Sequence, residues 1–200
     1  MKITFNSPLI LTFSFICVIV LIFTYYLGMF ENSFMTSGRW GSGGILSYFT
    51  LFSHVVGHAN LEHLIGNLSF ILLIGPIVEK HYGSKLLLIM ILTTALATSV
   101  FNILFFDSGL LGASGIVFML IILTSMINIK HKEIPLSFIL VVIIFIGKEV
   151  INALSPDQVA QFAHIIGGVI GGIFGFLLAG KPKDKSALET EKKDPLTGLY

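Results

Sequence analysis

Of the 200 residues, 54% are hydrophobic and only 12% charged, where a soluble domain carries roughly 25% charged side chains, so the chain cannot offer water an ordinary surface and reads as a membrane protein. A formal net charge of +1 and a mean hydropathy of +0.93 exclude a disordered chain, an acidic or basic tail protein and a nucleic-acid binder with a broad cationic face. The single cysteine, Cys17, sits in an apolar run, which excludes a disulfide framework and a CxxC metal or redox site.

Crossing about 30 Å of hydrocarbon takes about 20 apolar residues in a helix. Six segments meet or approach that length: Leu9–Met29, Leu61–Tyr82, Lys85–Phe106, Ser114–Ile129, Leu136–Ala153 and Gln158–Ala179. The first follows Lys2 but is too long for a signal-peptide core and lacks a small-x-small cleavage site, so an uncleaved anchor is expected. Helices are the expected form throughout, because a lone strand in lipid leaves its backbone polar groups unpaired. The expectation is an all-α membrane protein: residues 1–180 form one membrane domain, and the Lys-, Asp-, Glu- and Pro-rich stretch 181–200 forms a flexible cytoplasmic tail. The last seven residues, Asp194 to Tyr200, look like the opening of a diguanylate cyclase domain, a stretch too short to imply activity.

Lys and Arg accumulate in cytoplasmic loops. With the N-terminus inside, the inner set is Lys2, Lys80, Lys85, Lys130, Lys132, Lys181, Lys183 and Lys185, and the outer set is Arg39 and Lys148. Both termini are therefore expected in the cytoplasm. The long connection Phe30–Asn60 falls outside, and its Trp40, Tyr48, Phe49 and Phe52 suit a loop lying in the interface.

Polar groups at depth are costly and so mark candidate sites. Four stand out: His63 and Asn67, four residues apart on one helical face, Ser114 at the start of the fourth segment, and His164 inside the sixth. Asn67, Ser114 and His164 each lie about 15 residues, hence about 22 Å, from the inner end of their segments, which brings three helices' polar side chains to one level near the outer side. The fourth segment is short and follows the turn signal Asp107-Ser108-Gly109, so its helix is expected to begin within the membrane, where its free N–H groups and positive dipole end favour an oxyanion. Gly112 and Gly115 flank Ser114 and allow tight turns and close backbone approach. Gly167, Gly168, Gly171, Gly172 and Gly175 follow His164, and small residues at this spacing bring two membrane helices close enough for an imidazole to reach a serine oxygen.

Each of these features also has a plainer reading: an interhelical hydrogen bond for the serine, packing for the glycines, a cavity position for His164. Their conjunction at one depth favours nucleophilic catalysis. His54, His58 and His63 offer a rival constellation as zinc ligands. Their spacing fits one helix only loosely, so hydrogen bonding that stabilises the outer loop is the favoured reading and no metal is assigned.

These residues resemble the rhomboid intramembrane serine proteases. Gly112-Ala113-Ser114-Gly115 matches the family's GxSG, His63 to Asn67 its HxxxN, Ala163-His164 through Gly167 to Gly171 its AHxxGxxxG, and Gly75 to Glu79 its GxxxE helix end. The resemblance implies a six-transmembrane-helix bundle with a short fourth helix, with Ser114 as nucleophile and His164 as general base. It further implies that His63, Asn67 and the Ser114 backbone N–H stabilise the oxyanion. No carboxylate lies within a turn of His164, so a Ser–His dyad without cofactor is the reading. The implied partners are transmembrane protein substrates, cut near their outer ends, and the lipid bilayer; no nucleic acid is expected, and a composition rich in Ile, Lys and Phe points to a bacterial plasma membrane. The sequence departs from the family at two places: Phe49-Thr50 stands where a Trp-Arg pair is usual, with Arg39-Trp40 upstream in reversed order, and Phe118 replaces a common Tyr. The alternative is a non-proteolytic relative that binds transmembrane segments in quality control, and an intact Ser114 and His164 argue against it. A small channel or transporter would need charged groups along a path, and the fourth segment below Ser114 has none.

Overall fold

A computed structural model of the chain describes residues 3–38, 44–127, 134, 136–147 and 159–178. Within them the elements are α1 (Pro8–Leu21), continued by a π-helical turn (Ile22–Tyr26), α2 (Gly44–Ser53), α3 (Leu61–Tyr82), α4 (Ser84–Phe105), α5 (Ser114–Met126), α6 (Leu136–Val141), also continued by a π-helical turn (Val142–Ile146), and α7 (Val159–Leu178). The described backbone contains no β-strand, only an isolated antiparallel bridge between Thr36 and Leu110. Among the described residues four helices are long and apolar enough to cross a membrane: Pro8–Tyr26, Leu61–Tyr82, Ser84–Phe105 and Gln161–Leu178. The expected tail 181–200, the outer Arg39-Trp40 and Lys148, and the inner-loop Lys130 and Lys132 lie outside the described residues.

The helix ends follow local chemistry. Asn60 caps α3, its side-chain oxygen accepting from His63 N at 2.8 Å, and Gly83, at φ +80°, turns the chain between α3 and α4. At α1 the capping group comes from another helix. Pro8 occupies the first turn, Ser7 makes no side-chain cap, and the buried Glu79 carboxylate of α3 accepts from Leu9 N at 2.9 Å and Ile10 N at 3.0 Å. Ser84 Oγ donates to the same carboxylate at 2.6 Å. One acid thus ties together the start of α1, the end of α3 and the start of α4, with its charge at the positive end of the α1 dipole. Just above, Gly75 lets α1 come close: a Cβ there would stand 2.7 Å from Ile10 Cδ1.

The core lies around α5, which buries Ile116, Met119, Leu120, Ile122 and Leu123 almost completely. The outer faces of α1, α3 and α4 instead expose Phe15, Ile19, Leu73, Ile77, Ile89 and Leu92, as lipid-facing surfaces do. On α7 the glycines face α5. The Cβ position of Gly167 is already occupied by the Gly115 carbonyl, that of Gly171 lies 2.7 Å from Met119 O, and that of Gly175 meets the Met126 sulfur. At Gly167 and Gly171 only glycine permits this backbone-to-backbone contact.

Candidate active site

The segment entering α5 is held in an unusual conformation. Gly112 has φ +118°, a region open to glycine, and its N–H donates to the His54 carbonyl at 2.9 Å. Ala113 follows as the residue preceding α5, and Ser114 opens the helix, whose first-turn amides have no acceptor within the helix. A Cβ on Gly112 would stand 2.7 Å from His63 Cε1, 2.8 Å from His63 Nε2 and 3.7 Å from Asn67 Nδ2. The HxxxN face of α3 therefore abuts the backbone two residues before Ser114. Asn67 is buried, and its Nδ2 has no hydrogen-bond partner among the described residues.

On the other flank, α5 and α7 cross where Gly115 meets Ala163: a Cβ on Gly115 would lie 3.2 Å from the Ala163 carbonyl oxygen. These two residues are the immediate neighbours of Ser114 and His164. Phe118, one turn after Ser114, stacks on the His164 ring with centroids 4.4 Å apart and planes within 6°. The ring contact needs no hydroxyl, so Phe in place of Tyr leaves it intact.

Sequence reading placed His54 and His58 in hydrogen bonds that stabilise the outer loop but did not find the α4 partners of His54. His54 is 1% exposed. Its Nδ1 lies 3.2 Å from Thr50 O and 3.0 Å from Ser99 Oγ, and its Nε2 lies 3.3 Å from Thr98 Oγ1. Ser99 Oγ in turn donates to Leu51 O at 2.9 Å, and Thr36 Oγ1 to Thr50 O at 2.8 Å. The Ser99–His54 contact is a lock between α4 and the outer loop. Its serine is completely buried and spends its proton on a carbonyl, leaving no route for a peptide to reach it. The signal was present in the sequence as the adjacent polar pair Thr98-Ser99 inside an apolar helix.

His54 and His58 act in the loop through hydrogen bonds. His58 is 3% exposed, its Nδ1 sits 3.2 Å from Val56 O, and its ring meets that of His63 edge-on at 5.1 Å. Burial pushes both imidazoles down to about 4, the nearby His63 adding to the effect at His58, so both are neutral at physiological pH. Among the described residues no three His, Cys, Asp or Glu side chains gather as a metal set.

Helices of spanning length, apolar outer faces and a polar cluster at a helix start define a polytopic integral membrane protein. The Rhomboid domain model matches residues 46–181, more than half of the sequence. The chain belongs to the rhomboid family. It is 28% identical over 161 residues to the rhomboid protease GluP of Bacillus subtilis (strain 168), covering 78% of this chain and 29% of GluP. It is also 28% identical over 131 residues to the rhomboid protease GlpG of Haemophilus influenzae, covering 62% of this chain and 67% of GlpG. This sequence thus spans well under half of GluP's length.

Proposed function

We propose that this protein is an intramembrane serine protease that cleaves peptide bonds in or near the outer ends of transmembrane segments. Ser114 is the nucleophile, His164 the general base, and His63, Asn67 and the Ser114 N–H stabilise the oxyanion. The reading includes the six-helix bundle over 1–180, a short fourth helix starting inside the membrane, a cytoplasmic tail over 181–200, both termini in the cytoplasm and a bacterial plasma membrane. It draws support from the family membership and from two relatives named as proteases.

The observation that carries it is the approach of Gly112 to His63 and Asn67, with a buried amide donor of Asn67 left unpartnered among the described residues. A buried unsatisfied donor costs about 1–3 kcal/mol, which a purely structural site would avoid and a developing oxyanion would repay. A cavity of about 320 Å³, walled in part by Tyr25, Met35, His58 and Leu111, adds space beside the loop that leads to the nucleophile.

In this mechanism the Ser114 oxygen attacks the scissile carbonyl carbon while a ring nitrogen of His164 takes the hydroxyl proton. Stacking on Phe118 holds the imidazole plane through the transfer. The negative charge that develops on the carbonyl oxygen is met by the α5 N-terminus and the α3 donors. Collapse expels the amine, which takes the proton from His164, and water then hydrolyses the acyl-enzyme by the same base.

The test is hydrolysis of a transmembrane peptide in liposomes containing the full chain. Cleavage that is lost in both Ser114→Ala and His164→Ala is the expected result. Cleavage that survives in both variants overturns the assignment, and absence of cleavage by folded wild type with retained peptide binding favours a non-proteolytic binder of membrane segments.

A further inference from the structure

The hydrolytic reading assigns a role to His63 but none to the imidazole beside it. His58 is buried and engages Val56 O through Nδ1, which fixes its ring. Its Nε2 is buried and has no hydrogen-bond partner among the described residues, so it makes no polar bond to His63. What it presents to His63 is a ring, edge-on, at 5.1 Å and 67°. The backbone on either side of this contact is pinned to a single atom: the His54 carbonyl oxygen accepts from Gly57 N at 3.1 Å and from Gly112 N at 2.9 Å. His58 follows the first donor, and Gly112 leads to Ser114. A Cβ on Gly57 would collide with the Phe34 carbonyl, so this stretch has no slack. The His63 backbone is likewise fixed, by the Asn60 cap. The freedom left to His63 is rotation of its side chain, and that ring touches Gly112 and His58.

We infer that His58 is a positioning residue: its ring confines the His63 imidazole against Gly112, so that the His63 N–H is aimed at the oxyanion before substrate arrives. The role rests on the proteolytic reading of Ser114 and His63. It is a role of shape: phenylalanine gives up the bond to Val56 O but keeps a ring of similar size edge-on to His63, and so retains most of it.

The experiment uses the full chain in liposomes, with active centres counted by fluorophosphonate titration so that misfolded protein is not scored. In His58→Ala, kcat per titrated centre falls about threefold to tenfold, the range an aromatic edge contact supplies, with KM within twofold. Affinity for a peptidyl aldehyde, whose hemiacetal mimics the tetrahedral intermediate, falls by the same factor. His58→Phe restores most of both. The same samples labelled with 15N-histidine report ring order directly, the His63 resonance being single in wild type and His58→Phe and broadened in His58→Ala. Unchanged kcat per centre in His58→Ala, or a His63 resonance unaltered by it, overturns the inference, as does a His58→Phe variant as impaired as His58→Ala. Should wild type fail to hydrolyse peptide at all, the proteolytic reading falls, while the His63 resonances still decide whether His58 holds that ring.

Discussion

Glu79 offers the sharpest test of how the bundle is held together. Its carboxylate, 5% exposed, accepts from two α1 amides at 2.9 and 3.0 Å and from Ser84 Oγ at 2.6 Å. Hydrogen bonds to a charged group are worth roughly 1.5–3 kcal/mol each. Water can replace part of the set at the partly buried Leu9 and Ser84 positions, while Ile10 is fully buried. Taking one bond at full value and two at about half gives a loss of about 3–6 kcal/mol for Glu79→Ala. Glu79→Gln keeps the shape and one acceptor oxygen but turns an NH₂ group toward an N–H donor, and is expected to lose about 1–2 kcal/mol. Equilibrium unfolding in mixed micelles, followed by circular dichroism at increasing SDS fraction, measures both. The ranking wild type, Gln, Ala is the expected order. A Glu79→Ala protein within about 0.5 kcal/mol of wild type would refute the view that this acid caps α1, since surface substitutions fall in that range.

Gly167→Val drives a side chain into the Gly115 carbonyl and is expected to prevent the α5–α7 contact, whereas Gly172→Ala, which meets nothing within 4 Å, is expected to be neutral; yields of folded protein by size-exclusion chromatography separate them. Asn67→Ala removes an oxyanion donor and is expected to lower kcat about 10²–10³-fold with little change in KM, read by steady-state cleavage of a transmembrane peptide. The docked outer loop carries a pH signature. His54 and His58 have folded-state values near 4 against about 6.5 when undocked, so the undocked loop binds more protons between these limits. Their contribution to docking is fully present above about pH 6.5 and declines as pH falls toward 4, by at most about 1.4 kcal/mol per unit for each histidine. Amide hydrogen exchange over residues 44–60 should therefore quicken relative to α4 between pH 7.5 and 5.5 after correction for the intrinsic rate, and an unchanged difference would contradict the account.

The two spans on either side of Gly83 were legible because length and apolar continuity are properties of the chain alone: Leu61–Tyr82 stands in the structure with the ends its composition suggested, and Ser84–Phe105 is shifted by one residue at each end. The same holds for the start of α5 at Ser114, announced by glycines and a turn signal. The outer loop was harder to read. A ten-residue helix, α2, forms within it, and its anchoring depends on partners distant in sequence, such as Ser99 with His54, 45 residues apart. Nothing local in the sequence declares such a pairing. Glu79 shows the same limit: its spacing from Gly75 was visible, but its role as cap of a helix 69 residues earlier belongs to the tertiary structure. At the candidate site the depth argument brought Asn67, Ser114 and His164 to one level. The stacking of Phe118 on His164 agrees with the packing that the family resemblance implied, whereas the approach of His63 and Asn67 to Gly112 emerges only in the folded structure.

The central claim is that Ser114 is an activated nucleophile, and covalent labelling tests it most directly. A fluorophosphonate probe applied to detergent-solubilised full chain should modify wild type at Ser114, identified by peptide mass spectrometry, and should leave Ser114→Ala and His164→Ala unmodified. Failure to label wild type that is folded by circular dichroism and size-exclusion chromatography, or undiminished labelling of His164→Ala, would contradict the account.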